Sequence, residues 1–184
     1  MDPSAYRATG ALREGTPLTI RAIAPDDKEE LREGFGQLSA DSIYHRFFLA
    51  KTGLTEAELR YLTELDFRRH VALVATLPVD GVERIIGVGR FIAVGPETEF
   101  RRAEVAFTVG DQFQGHGVGS LLLEHLARIG RDLGLQQFEA DVQADNTQML
   151  EVFEHSGLPM TSHTRDRVCR VVLSLRATDP KERG

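Results

Sequence analysis

The chain reads as a mixed α/β domain in which a mixed sheet is covered by helices on both faces. Three observations predict this. Short runs of β-formers and amphipathic helical patterns follow one another as strand, helices, three strands, helix, strand, helix, two strands. A turn with three glycines joins a strand to the longest helical pattern in mid-chain. At 184 residues with 41% hydrophobic content, the chain can bury a sound core without cross-links.

Residues 1–16 are polar, contain Gly and Pro and lack a hydrophobic segment, so a mobile N-terminal tail is expected. Leu18 to Ala24 reads as the first strand. Pro25-Asp26-Asp27 opens a helix, because Pro suits the first turn and acids suit the positive end of the helix dipole. Ser39 to Leu49 reads as a second short helix containing Tyr44-His45-Arg46-Phe47-Phe48, with Phe47 and Phe48 expected in the core. Thr55-x-x-Glu58 is a capping box that starts a helix through Leu59 and Leu62. Val71 to Leu77 is an apolar strand, and Asp80-Gly81 marks a turn before a strand from Arg84 to Val94. Ala103 to Val109 is the third strand of this group. From Val118 to Leu133, Leu122, Leu126, Ile129 and Leu133 recur at spacings of four, three and four, an amphipathic helix. Gln137 to Val142 is a strand. Asp145 or Asn146 caps the next helix, which runs through Val152 and Phe153, and Gly157 ends it in the left-handed conformation. Strands near 159–164 and 167–175 close the domain, which spans residues 17–176 ahead of a polar tail at 177–184.

Composition excludes several functions. A net charge of −6 and a pI near 5.5 argue against a nucleic-acid partner, and Arg68-Arg69 and Arg101-Arg102 are isolated pairs. The single cysteine, Cys169, rules out an internal disulfide framework or a multi-Cys zinc site; set in an apolar run, it reads as a core residue and not a nucleophile. The six histidines show no metal-ligand spacing, so no metal is expected. No apolar run approaches the ~20 residues needed to cross a bilayer, and no membrane partner is expected. A cytoplasmic location follows by default. A mildly acidic surface suits a cationic acceptor. Oligomeric state is not legible.

The informative stretch is Gln114-Gly115-His116-Gly117-Val118-Gly119-Ser120. Glycines in a strand-to-helix turn let backbone N–H groups crowd at a helix N-terminus, where the positive dipole end makes a ready site for phosphate. The dinucleotide pattern needs G-x-G-x-x-G early in the chain, and a Walker loop needs Gly-Lys-Ser/Thr; neither is present.

The spacing Q-x-x-G-x-G, between a strand carrying Glu104 and a long helix, instead resembles the acetyl-CoA loop of the GNAT N-acetyltransferase superfamily. The segment from Asn146 to Gly157 is similar to that family's fourth motif region. Ser42 to Phe48 and Ala103 to Phe107 resemble the matching segments of bacterial Pat-type protein-lysine acetyltransferases. The resemblance implies a central, mostly antiparallel sheet flanked by helices, with acetyl-CoA as cosubstrate. It implies that Gly115, His116, Gly117, Val118, Gly119 and Ser120, led by Gln114, wrap the pyrophosphate. Phe107, Thr108 and Val109 would lie beside the cofactor, with a main-chain donor near Val109 at the thioester oxygen. Asn146 would touch the coenzyme, although capping alone also accounts for it. His116 would sit near the phosphates or, as a mostly neutral side chain, in solvent. Many Pat-type enzymes are fused to a sensor or synthetase-like region; this length implies a stand-alone catalytic domain.

The acceptor sets the chemistry. A lysine ε-amine has a pKa near 10.4, so fewer than about one in a thousand is free to attack at neutral pH. Glu104, sharing a strand face with Ala106 and Thr108, is the candidate base, and a half-buried carboxylate there should have a raised pKa. Alternatively, it pairs with Arg101, Arg102 or Arg90 at the surface. Transfer of the proton directly or through water stays open. Phe153 occupies the place where many family members carry a proton-donating Tyr, which leaves the acid unassigned between water and Ser156. His45 and His70 could line the acceptor cleft, and Tyr44 remains open between core and site. Three functions follow: a protein Nε-lysine acetyltransferase, a small-molecule amine acetyltransferase, or a non-catalytic acyl-CoA-binding module.

Overall fold

The computed structural model describes residues 2–47, 51–79, 81–96 and 100–176. Eight strands form one sheet in the order β1-β2-β3-β4-β5-β6-β8-β7. They are β1 (Arg7–Ala11), β2 (Pro17–Ala22), β3 (His70–Val79), β4 (Val82–Val94), β5 (Arg102–Val109), β6 (Gln137–Gln143), β7 (Met160–Arg165) and β8 (Val168–Ser174). Every neighbouring pair is antiparallel except β5 and β6. The helices are α1 (Lys28–Gly36), α2 (Ala40–Phe47), α3 (Glu56–Thr63), α4 (Val118–Asp132) and α5 (Thr147–Glu154). No described helix is long and apolar enough to cross a membrane.

The centre of the sheet is a continuous apolar run. Val71 to Leu77 on β3 is buried throughout, as a strand covered on both faces must be. On one face lies α4, whose Leu122, Leu123, Leu126 and Ile129 are each at most 1% exposed; each contributes roughly 2 kcal/mol by leaving water. Two glycines of β4 let the helix come close. A Cβ at Gly87 would stand 2.8 Å from Val118 Cγ1, and one at Gly89 would stand 3.0 Å from Leu126 Cδ1. On the opposite face, α1 packs on β4 and α2 on β5.

Local signals set the helix ends. Thr55 Oγ1 accepts the Glu58 N–H at 3.2 Å while the Glu58 carboxylate accepts the Thr55 N–H at 2.8 Å, the expected capping box. Asn146 Oδ1 accepts the Met149 N–H at 3.1 Å and caps α5. Gly157 is left-handed at φ 71°, two residues beyond the His155 C-cap. Pro25–Asp27 forms a 3-10 turn ahead of α1. The expected core positions at Phe48 and at the Phe47 side chain, and Asp80 of the expected turn, lie outside the described residues.

The expectation of an N-terminal tail is overturned. Arg7–Ala11 pairs with Ala11↔Pro17 through Arg7↔Arg21 of β2 as the sheet's edge strand. Tyr6 and Leu12 flank it at 7% and 5% exposure. The Tyr6 hydroxyl bonds His125 Nδ1 on α4 at 2.5 Å. The sequence Arg-Ala-Thr-Gly-Ala carries no apolar alternation; its order comes from a partner strand and two flanking anchors.

Candidate active site

The site begins where β5 and β6 part. Their parallel pairing covers only Arg102–Glu104 against Gln137–Glu139. Beyond Glu104, β5 stays on β4 as far as Val109↔Gly87, and β6 stays on β8 as far as Gln143↔Val168. The two strands therefore open a wedge. Backbone direction within it follows from alternation: the Gly110 N–H donates to Ile86 O on β4 at 2.9 Å, and Arg101 O accepts Gln136 N–H on the β6 side at 2.7 Å. Even-numbered residues of β5 thus turn their amides to β4, and Val105, Phe107 and Val109 turn theirs into the wedge. An extended ligand with its own amides can add there as a strand would.

The wedge is part of a cleft of about 1010 Å³. Phe107 and Phe153 line it together, ring centroids 6.1 Å apart and edge to face. Phe153 is 1% exposed. At one end lies the glycine loop. Gly115 and Gly117 hold φ values of 79° and 91°, a left-handed conformation that other residues adopt at a cost. Gly117 is the N-cap of α4 and no side chain caps the helix. The first intrahelical bond is Leu121 N–H to Gly117 O, so the amides of Val118, Gly119 and Ser120 are available to an anion.

The loop's polar side chains divide by role. Gln114 lines the cleft, yet its Nε2 donates to Ser42 Oγ at 3.0 Å and Val109 O at 3.2 Å, tying α2 to the end of β5. His116 turns away from the cleft to Glu14, Nδ1 to Oε2 3.1 Å. The cation beside the helix start is instead Arg13, whose Cγ lies 3.3 Å from where a Gly117 Cβ would stand. Its N–H donates to His116 O at 3.0 Å. Asp111 fastens α2: its carboxylate accepts the Ser39 N–H at 2.8 Å and the Ser42 hydroxyl at 2.6 Å. Burial alone would raise the Asp111 pKa, but these hydrogen bonds hold it below the ordinary carboxylate value.

Glu104 lines the cleft where the wedge begins. It is exposed, not half-buried as expected. Its strand face carries Ala106 and Thr108, with Ile92 and Arg90 across on β4. The alternative ion pairs are not made: Arg102 holds Glu139 at 3.2 Å, while Arg90 donates to His70 Nε2 at 3.1 Å and Leu62 O at 3.4 Å. No ion pair joins Glu104 to Arg101 among the described residues. Arg46 of α2 lines the same cleft; burial lowers its pKa and the Glu104 charge works against that shift.

Both histidines assigned to the acceptor side are accounted for. His45 Nε2 lies 3.3 Å from Asp145 Oδ1, joining α2 to the turn before α5. His70 is pushed down to about 4 by burial first and the Arg90 charge second, partly offset by Asp66. It is neutral at pH 7 and accepts from Arg90, which places its own proton on Nδ1. Tyr44 is 48% exposed. Ser156 donates to Phe153 O at 2.7 Å and is not among the residues that line the cleft. Cys169 is buried, as expected of a core residue. Arg13, Asp111 and Arg46 escaped sequence reasoning: Arg13 fell in the supposed tail, and the other two act only through contacts between elements.

The acetyltransferase (GNAT) family profile matches residues 39–158. This chain belongs to the GNAT family. Acetyltransferase Pat of Mycolicibacterium smegmatis is 35% identical over 146 residues, 79% of this chain and 42% of that protein. Acetyltransferase PA5475 of Pseudomonas aeruginosa is 29% identical over 77% of this chain and 75% of its own length. The chain thus spans less than half of the Pat relative. Among solved structures, the GNAT domain of S. lividans PAT superposes with a TM-score of 0.84 at 34% identity, covering 91% of this chain and 96% of that one. The mostly antiparallel sheet and its flanking helices are accordingly a GNAT fold.

Proposed function

We propose that this chain transfers an acetyl group from acetyl-CoA to a primary amine, the ε-amine of a protein lysine, with Glu104 as the base. The observation that carries the proposal is one continuous cleft: the strand edge at Val105–Val109, the uncapped start of α4 at one end, and Glu104 beside it. The GNAT family supports acetyl-CoA as cosubstrate, and the resemblance of residues 42–48 and 103–107 to Pat-type protein-lysine acetyltransferases supports a protein acceptor. Acetyl-CoA brings an activated thioester to the site.

The residues present fit that ligand. Amides of Val118, Gly119 and Ser120, with Arg13 beside them, suit the pyrophosphate. Backbone groups of Phe107 and Val109 suit the amides of the pantetheine arm, and Asn146, already engaged as a cap, lines the same cleft. The Val109 N–H, turned into the wedge, suits a thioester oxygen that gains charge. Glu104 takes the proton that the acceptor's ammonium must lose, directly or through water, since its exposure admits either. Phe153 has no proton to give, and a thiol near pKa 8.5 leaves adequately as the thiolate, with water as the proton source. Direct passage of the acetyl group to the amine within a ternary complex, as the family resemblance implies, is consistent with the burial of Cys169.

Labelled acetyl-CoA incubated with the protein and a bacterial lysate tests this. Label should appear on protein lysines and fall by about 100-fold or more with Glu104→Gln, while acetyl-CoA binding is kept. Label confined to small molecules would move the acceptor to a metabolite amine. Unchanged turnover in Glu104→Gln would overturn the base assignment.

A further inference from the structure

A second cavity, of about 300 Å³, opens beside the cleft on the face of the sheet that carries Glu104. Its walls come from α1, α3, β4 and β5, and it shares Arg46, Ala106 and Thr108 with the cleft. Arg90 lines it and is 6% exposed. A buried guanidinium is costly unless an anion accompanies it. The partners of Arg90 are neutral: His70 Nε2 at 3.1 Å and the Leu62 carbonyl at 3.4 Å. Among the described residues, no carboxylate pairs with it.

The acids that line the cavity are engaged elsewhere. Glu30 accepts the Ile85 N–H at 2.5 Å, and Asp111 accepts from Ser39 and Ser42. A second cation, Arg46, shares the wall: burial, then the charge of Arg46, push Arg90 down to about 9. Glu30 and Asp111 keep their charge but neither pairs with Arg90, so its guanidinium is left to pair with an anion that enters.

We propose that Arg90 binds a carboxylate carried by the acceptor, close to the amine that is acetylated. Arg90 stands opposite Ala106, and Ile92 opposite Glu104. Arg90 and Glu104 are thus diagonal neighbours on one face, with backbones roughly 7–8 Å apart. An acceptor that lays its amine at Glu104 and a carboxylate several ångströms away satisfies both groups at once. The carboxylate comes either from an acidic side chain beside a target lysine or from a small amino acid. The Arg90 guanidinium donates two hydrogen bonds to it, and discrimination against the neutral amide follows because the amide leaves the cation unpaired. This inference rests on the acyl-transfer reading above.

The test measures thiol release from acetyl-CoA with two matched acceptor pairs: a lysine peptide with Glu or Gln next to the lysine, and 6-aminohexanoate or its amide. Wild type should prefer each usable carboxylate over its amide by about 10- to 100-fold in kcat/KM, mainly through KM. Arg90→Gln should bring that ratio to about 1 without moving the KM for acetyl-CoA, and Arg90→Lys should restore part of it. Preference in the peptide pair assigns the carboxylate to a protein; preference only in the aminohexanoate pair assigns it to a small amino acid. A wild-type ratio near 1, or an equal loss on all four acceptors in Arg90→Gln, overturns the proposal. If wild type turns over none of them, calorimetric binding decides. Binding of 6-aminohexanoate but not its amide, lost in Arg90→Gln, upholds the anion site and counts against acyl transfer alone. Equal or absent binding of the two sinks the site.

Discussion

Substituting Gly117 tests the α4 N-terminus as a phosphate site. Gly117 sits at φ 91° and ψ 0°, directly before the free amides of Val118, Gly119 and Ser120. Any L-residue there takes on left-handed strain of about 1–2 kcal/mol, and its Cβ meets Arg13 Cγ at 3.3 Å. Gly117→Ala carries that cost and no charge. Gly117→Asp adds a carboxylate about 5 Å from a bound phosphate, and at an effective dielectric of about 20 the repulsion is about 3 kcal/mol. Affinity for acetyl-CoA should therefore fall about 100-fold further in the Asp variant than in the Ala variant. Calorimetry gives both affinities, and thermal melts show whether the two variants share the same loss of stability. The gap should narrow at high salt, because the cleft is open to solvent. Equal affinities for Asp and Ala would refute the assignment of the phosphate to this turn.

Gly87→Ala drives a Cβ to 2.8 Å from Val118 Cγ1, at the first residue of α4, where the side chain is 1% exposed and cannot retreat. Urea denaturation should show a loss of about 1–3 kcal/mol, and a change below about 0.5 kcal/mol would mean that the helix start yields freely. Stability should also depend on pH through His70. Its folded pKa of about 4 lies below the ordinary imidazole value of 6.5, so the unfolded chain binds the proton more readily. The stabilisation is complete above about 6.5 and is lost as pH falls towards 4, by up to about 3 kcal/mol before solvent screening. His70→Gln keeps an acceptor for Arg90 and should flatten that acid limb; an unchanged limb would assign it to other groups.

The glycine loop, α4 and the caps of α3 and α5 were legible because their signals are local. Leu122, Leu126 and Ile129 recur at helical spacing, and Thr55 with Glu58 or Asn146 with Met149 interact within one turn. The face shared by Glu104, Ala106 and Thr108 follows from alternation alone. Glu104's surroundings do not. Its exposure, and the absence of pairs to Arg101, Arg102 or Arg90, depend on what packs over β5. His116 likewise stands in a readable motif, yet its side chain leaves the cleft for Glu14, a residue of the segment expected to be a tail.

By itself, the amino-acid order determined the alternation of strands and helices, the turn that frees α4's first amides, and the carboxylate on the strand leading into it. Each depends on dihedral preferences and contacts within a few residues. Only the tertiary structure decided where β5 leaves β6, that residues 7–11 close the sheet edge and bring Arg13 to the loop, and that Arg46 and Arg90 meet beside Glu104. These depend on the pairing of distant strands and on charges buried between helices and sheet, interactions among residues tens of positions apart that leave no period in the sequence.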